Sequence, residues 1–147
     1  AGAQIYNNVI YNGSGSDVHL IRNFAGCTGK SYFSNNIFLS LGTYRFDFNA
    51  MKTSMNSFSN NCWVANSWKK EILWSGSTVY SSGRPSGTND ITSDPKFINP
   101  GSGVDGYKLQ STSPCINAGK IISNNGGYDF WGNVLYNGNP DVGAEEH

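Results

Sequence analysis

One short pattern occurs three times in this chain: Tyr6-Asn7-Asn8-Val9-Ile10-Tyr11, Ser34-Asn35-Asn36-Ile37-Phe38-Leu39 and Ser59-Asn60-Asn61-Cys62-Trp63-Val64. The second asparagines are separated by 28 and then 25 residues. In the later two copies Phe33 and Phe58 come just before the Ser-Asn-Asn. A unit of this length cannot bury an apolar face alone, and it gains a core by stacking on its neighbours. Asparagine suits the turn of such a unit because it tolerates left-handed backbone angles. Its amide also carries both donor and acceptor. Stacked at one position, Asn8, Asn36 and Asn61 are expected to bond to each other in a structural ladder and to satisfy polar groups that stacking would bury.

A second apolar segment follows each pair about ten residues on: Val18-His19-Leu20-Ile21, Arg45-Phe46-Asp47-Phe48 and Glu71-Ile72-Leu73-Trp74. Phe46 and Phe48 alternate with Arg45 and Asp47, the period-two mark of a half-buried strand. Each repeat therefore reads as strand, loop, second strand, asparagine turn and third strand. No ten-residue stretch has helical periodicity. Abundant Gly, Asn and Ser with few Ala, Leu and Glu favour turns over helices, so the class is all-β.

A length of 147 residues suits one domain with its own core. Zero formal net charge with 14% charged residues argues against a nucleic-acid partner. No apolar run approaches the roughly 18–20 residues that span a bilayer, so no membrane role is expected. Ala1-Gly2-Ala3-Gln4 runs into an apolar stretch without a charged leader. Ile5 to Tyr11 already reads as the middle of a coil, so a further coil or domain is expected to precede it. Cys27, Cys62 and Cys115 contain no CxxC pair, which argues against zinc. They read as small buried hydrophobes, with a Cys27–Cys62 bridge as the alternative.

The Phe-Ser-Asn-Asn-Ile and Phe-Ser-Asn-Asn-Cys motifs resemble the asparagine-ladder turns of right-handed parallel β-helix proteins. In the tail, Asp94-Pro95-Lys96-Phe97, Tyr107-Lys108-Leu109 and Ser113-Pro114-Cys115-Ile116-Asn117-Ala118-Gly119 resemble the closing segment of many secreted bacterial β-helix proteins. Asp129-Phe130-Trp131-Gly132 and Asp141-Val142-Gly143-Ala144-Glu145 resemble the same ending. The resemblance covers most of the chain. It implies a right-handed parallel β-helix of about three to five coils, with coils over residues 1–93 and a last coil and cap over 94–147. It also implies a secreted or cell-surface location and a polysaccharide partner.

An open stack ends in unpaired strand edges and exposed core, which a terminal segment must cover. Leu109, Ile116, Phe130, Trp131 and Val142 are expected to cover the last coil. Asp129 and Asp141 read as turn formers, with a calcium site as the alternative; no other cofactor or metal is expected.

Aligning the repeats places Asp17, Arg45 and Glu71 in one column and His19, Asp47 and Leu73 in the next. Asp47 and Glu71 then fall on neighbouring strands, about 5 Å apart at the backbone. Glycoside cleavage needs two such carboxylates, or an acid and a base, across one bond. Asp47, Glu71, His19 and Arg45 are therefore the catalytic candidates, against a reading of the Arg45 column as ordinary charge pairing on a solvated face. Trp63, Trp68, Trp74, Tyr44, Tyr80 and Trp131 are many aromatics for a short chain, and an aromatic face suits a pyranose ring. Trp68, in an expected loop beside Lys69 and Lys70, leads the ligand-binding candidates with Tyr44, Asp47 and Arg45. The expected function is a non-catalytic carbohydrate-binding module of a secreted polysaccharide-degrading protein. The alternatives are the end of a catalytic β-helix, a lyase or glycosidase, and an adhesin-like cap without ligand.

Overall fold

A computed structural model describes residues 2–15, 18–22, 29–49, 56–74, 77–82, 84–136 and 138–147; for 18–22, 45–49, 68–74 and 77–82 it describes the backbone alone. Among the described residues the chain is all-β, with no α-helix and one short 3₁₀ turn at Val104–Tyr107. The strands are β1 (Gln4–Tyr6), β2 (Val9–Asn12), β3 (Val18–Arg22), β4 (Ser31–Ser34), β5 (Ile37–Asn49), β6 (Asn56–Ser59), β7 (Cys62–Trp74) and β8 (Ser77–Ser82).

They form two sheets. In one, β1, β4 and β6 pair in parallel, with Ile5 beside Phe33 and Phe33 beside Phe58. In the other, β2, β5 and β7 pair in parallel, with Val9 beside Ile37 and Ile37 beside Cys62; β3 also pairs with β5. An asparagine pair joins each strand of the first sheet to its successor in the second. The first asparagine of each pair is left-handed: φ is 55° at Asn7, 55° at Asn35 and 54° at Asn60. The second carries the row of amides. The Oδ1 of Asn36 accepts from the backbone N–H and the Nδ2 of Asn8 at 3.2 and 3.0 Å. The Oδ1 of Asn61 accepts both equivalent bonds from Asn36 at 3.0 Å.

A fourth rung lies at Thr88-Asn89-Asp90-Ile91, outside the three copies read from the sequence. Asn89 has φ 54°, Thr88 and Ile91 pair in parallel with Ser59 and Cys62, and Asp90 occupies the ladder position, accepting from the Asn61 N–H. Thr-Asn-Asp-Ile is a conservative variant of Ser-Asn-Asn-Ile. The signal was present, but an exact Asn-Asn search passes over it.

The two faces of β2, β5 and β7 build two cores. Phe38 and Trp63 face inward with Phe33, Phe58 and Tyr44. The Phe38 and Trp63 rings stack at 4.1 Å between centroids, and those of Phe33 and Phe58 at 4.9 Å. Such pairs add about 0.5–1.5 kcal/mol beyond their area burial. Ile37 and Cys62 face the other way, into a cluster with Phe97, Leu109, Cys115 and Val142 of the tail. Burial on both faces explains near-continuous apolar runs such as Ile37-Phe38-Leu39.

Three expectations are corrected. The segments after Asn36 and Asn61 are single strands, β5 and β7, not two strands with a loop between them; an irregularity between Ser40 and Thr43 absorbs the bend. There the Ser40 Oγ accepts from the N–H of Gly42 at 3.0 Å. Next, β8 pairs antiparallel with β7 from Lys69 to Trp74, so a hairpin lies along that edge. Third, the tail covers a flank. Gly143 N–H donates to the Asn35 carbonyl, Asn35 exchanges two bonds with the Lys120 backbone at 2.8 and 2.9 Å, and Asn60 Nδ2 donates to the Ala118 carbonyl. The tail cluster takes in Val9, Ile37, Cys62 and Ile91 from all four rungs. Leu109 and Val142 are buried there, whereas Phe130 is 67% exposed and covers no last coil. The physical reason is that the largest unpaired apolar surface of a parallel stack is the outer face of its sheet.

Candidate functional site

The catalytic candidates lie on β3, β5 and β7, where the backbone register corrects the expected columns. His19 pairs with Arg45 and Arg45 with Lys69, while Arg22 pairs with Asp47 and Asp47 with Glu71. His19 is thus beside Arg45 and not Asp47, and Arg45 does not lie beside Glu71. Asp17 lies outside the described residues. The cause is a pair of register shifts, between His19 and Ile21 and between Ser40 and Thr43, which shorten the repeat beyond the ladder. Asp47 and Glu71 nonetheless share one register position on adjacent strands. That puts the two acidic positions about 4.7–4.9 Å apart along the hydrogen-bonding direction.

Among the ligand-binding candidates, Trp68 is part of β7 at the register position of Tyr44, not in a loop. Tyr44 is fully buried, and its hydroxyl lies 2.7 and 2.8 Å from the carbonyls of Ile10 and Leu39. Burial pushes its phenol above the usual range. It is a core residue and offers no face to a ligand. Trp63 is likewise inside the stack. Trp74 and Tyr80 are described by backbone alone.

The calcium candidates are engaged within the tail. Asp129 Oδ1 accepts from the N–H groups of Trp131 and Asn133 at 2.8 and 2.7 Å. Its Oδ2 accepts from Asn133 Nδ2 and Glu146 N–H at 2.8 and 2.9 Å. Burial raises the Asp129 carboxyl, but these donors outweigh it and hold the group below the usual range. Asp141 accepts from the N–H groups of Asn117 and His147 at 2.6 and 2.8 Å. Among the described residues no group of three or more His, Cys, Asp or Glu is placed to hold a metal.

What Asp129 positions is the wall of a cleft of about 460 Å³ between the first rung and the tail. One wall is Asn7, Asn8, Val9 and Tyr11; the other is Val104, Tyr107, Phe130, Trp131 and Ala144. Tyr11 and Tyr107 meet edge to face at 5.6 Å, and Phe130 and Trp131 at 5.0 Å. Trp131 is pinned three ways: its backbone by Asp129, its Nε1–H by Asp105 Oδ1 at 2.9 Å, and its ring by Lys108 Nζ at 5.4 Å. Lys108 also pairs with Asp105 at 3.1 Å. Lys108, and then Trp131, hold the Asp105 carboxyl below the usual range. Beneath the asparagine side, the Asn7 Oδ1 is closed to solvent and has no hydrogen-bond partner. A buried unpaired acceptor is uncommon and calls for a donor. Immobilised aromatic rings beside asparagine side chains suit a ligand with apolar faces and hydroxyl edges.

In the sequence Tyr11 stands only as part of the repeat and Tyr107 as part of the tail motif, and Trp131 as one aromatic among six and a cover for the last coil. Residues 11, 107 and 131 meet only because the tail folds back along the flank, so no local spacing brings them together.

No family model matches the chain. It is similar to a lacto-N-biosidase of Bifidobacterium longum subsp. longum, 29% identical over 163 residues, a match that covers 99% of this chain and 10% of that protein. The chain therefore spans about a tenth of the length of the curated relative it matches.

Proposed function

We propose that this chain is a run of coils of a right-handed parallel β-helix within a longer, secreted or cell-surface, carbohydrate-active protein. In this reading it binds glycan without itself cleaving it. The observation that carries the binding role is the cleft, lined by Phe130, Trp131, Tyr107 and Tyr11 together with Asn7 and Asn8. A pyranose ring would rest its apolar face on the aromatics and turn its hydroxyl edge to the asparagine wall. Similarity to a lacto-N-biosidase along nearly the whole chain supports a carbohydrate setting. The parallel pairing of both sheets and the four-rung row from Asn8 to Asp90 support the β-helix reading.

Affinity electrophoresis of the chain through gels holding plant, algal and host-type glycans tests this function. Retardation by at least one glycan, lost in Phe130→Ala and Trp131→Ala, is expected. No retardation by any glycan overturns the binding role, and retardation indifferent to both substitutions overturns the site.

One observation favours a second reading. Asp47 and Glu71 share a register position, and two carboxyls about 5–5.5 Å apart suit a retaining glycosidase. Release of reducing ends from a glycan, abolished in both Asp47→Asn and Glu71→Gln, would establish it in place of the non-catalytic role.

A further inference from the structure

Cys62 opens β7 directly after the third rung, and Cys115 lies in the tail that crosses the outer face of the sheet. Both side chains are fully buried in the same cluster, flanked by Ile37, Leu109 and Val142. The Cys62 thiol donates to the Ser93 carbonyl at 3.4 Å, and Cys115 belongs to the same packed cluster. Each is anchored by its own backbone: the Cys62 N–H donates to the Asn36 carbonyl, and the Cys115 carbonyl accepts from Val142 N–H. The two cysteines thus share one packed cluster at the junction that holds the tail on the stack, inside a shell that excludes solvent and reagents.

We propose that Cys62 and Cys115 close into a disulfide that staples the tail to β7. Two cysteines anchored by independent backbone bonds within one buried cluster are brought together as the tail docks. The bond forms before the tail docks. In the folded dithiol, the neighbouring Cys115 thiol and burial push Cys62 far above the usual thiol range, so almost no thiolate is present to react. During folding both sulfurs are open to a disulfide oxidant, either oxidised glutathione or the active-site disulfide of an oxidoreductase. One thiolate attacks that disulfide and expels one of its sulfurs, leaving a mixed disulfide. The second thiolate attacks the protein sulfur of the mixed disulfide and releases the oxidant's other sulfur. The two protein thiols lose two protons and two electrons, and the oxidant leaves as a dithiol or two thiols carrying both. Once the tail has docked, the finished bond is shielded from exchange. This inference does not rest on the glycan-binding reading.

The test is to refold the full chain from the reduced, denatured state with oxidised and reduced glutathione, trap free thiols with iodoacetamide, and map tryptic peptides. Lys and Arg residues separate Cys27, Cys62 and Cys115 into three different peptides. Expected are a mass lower by two hydrogens, the Cys62 and Cys115 peptides joined, and Cys27 alkylated. Reduction of that material should lower the melting temperature by about 5–15 °C, from the usual effect of a long-loop disulfide in a domain of this size. Cys27→Ser should keep both the link and the shift. A Cys62→Ala/Cys115→Ala double variant, which retains small apolar side chains in the core, should melt at the same temperature with and without reductant. Three alkylated cysteines after oxidative refolding, or a link that uses Cys27, overturns the proposal. So does a melting temperature that reduction leaves unchanged in the linked protein.

Discussion

The backbone N–H of Asn61 donates to Oδ1 of Asp90 at 3.0 Å, so the row of amides ends on a carboxylate. The Asn36 and Asn61 oxygens each receive two donors from the rung before, the Nδ2 groups of Asn8 and Asn36 reach onward to the next rung, and Asn61 Nδ2 turns to the Phe33 carbonyl instead. Asp90 has no N–H on its side chain to pass along. Its second oxygen instead meets Arg84 at 2.8 Å, with the carboxylate side chain 1% exposed and the guanidinium 27%. The Arg84 guanidinium also lies 5.8 Å from the Trp63 ring centre, over the inner core.

Replacing Asp90 separates these roles. Asp90→Ala takes the acceptor from the Asn61 N–H and the carboxylate from Arg84, which keeps only its bond to the Pro85 carbonyl, and is expected to cost about 2–4 kcal/mol. Asp90→Asn keeps an acceptor for Asn61 but turns a donor toward Arg84, and should cost about 1–2 kcal/mol. Urea unfolding followed by circular dichroism measures both; equal losses would mean that the ion pair contributes nothing of its own.

The middle of the row should matter more than its start. Asn36 is fully buried, and its Nδ2 reaches the Ile5 and Ser34 carbonyls as well as Asn61. Asn36→Ala leaves several of these partners stranded, at an expected cost of about 2–4 kcal/mol. Asn8 begins the row, and Asn8→Ala should cost about 1 kcal/mol or less. The same unfolding curves rank the two, and a larger loss at Asn8 would contradict the ladder's polarity.

Within the cleft, a contact residue and a positioning residue should behave differently. Phe130 is 67% exposed, so Phe130→Ala should weaken glycan binding about tenfold, the worth of one lost aromatic contact, with an unchanged melting temperature. Asp129 touches no ligand in this reading but holds the Trp131 and Asn133 backbone and the Glu146 N–H. Asp129→Ala should lower both affinity and melting temperature. Glycan titration calorimetry beside thermal melts separates the pair.

Acidification should first strengthen the fold. Burial raises the Asp141, Glu145 and Glu146 carboxyls above their ordinary values. A carboxyl whose folded value exceeds its unfolded value binds protons more readily in the folded state. Stability therefore rises as pH falls from neutral through the folded values, and the gain is complete below the unfolded ones. Asp129 has the opposite sign: its contribution is present above the unfolded value and is lost as pH falls through its lowered folded value. Melting temperature should climb from pH 7 toward mild acid and drop in stronger acid. Glu146→Gln, which keeps one acceptor oxygen, should flatten the climb. A steady fall from pH 7 downward would refute the assignment.

Much of the fold was legible in the chain. The Asn pairs at 7–8, 35–36 and 60–61 marked the turns because a left-handed residue followed by an amide-bearing one is a local requirement. Apolar runs such as Ile37-Phe38-Leu39 marked strands for the same local reason. The register beyond the ladder was not legible. The shift between Ser40 and Thr43 moves every later partner, and no residue type announces it.

The amino-acid order alone therefore determined an all-β chain with recurring asparagine turns, since backbone preference, side-chain alternation and amide chemistry are properties of neighbouring residues. Only the tertiary structure decided that the tail lies along the flank, that Asp90 closes the row, that His19 pairs with Arg45 and that Tyr11 and Trp131 line one cleft. Those relationships join residues far apart in the chain. They follow from which apolar face is left uncovered once the strands have paired, a quantity that belongs to the packed whole.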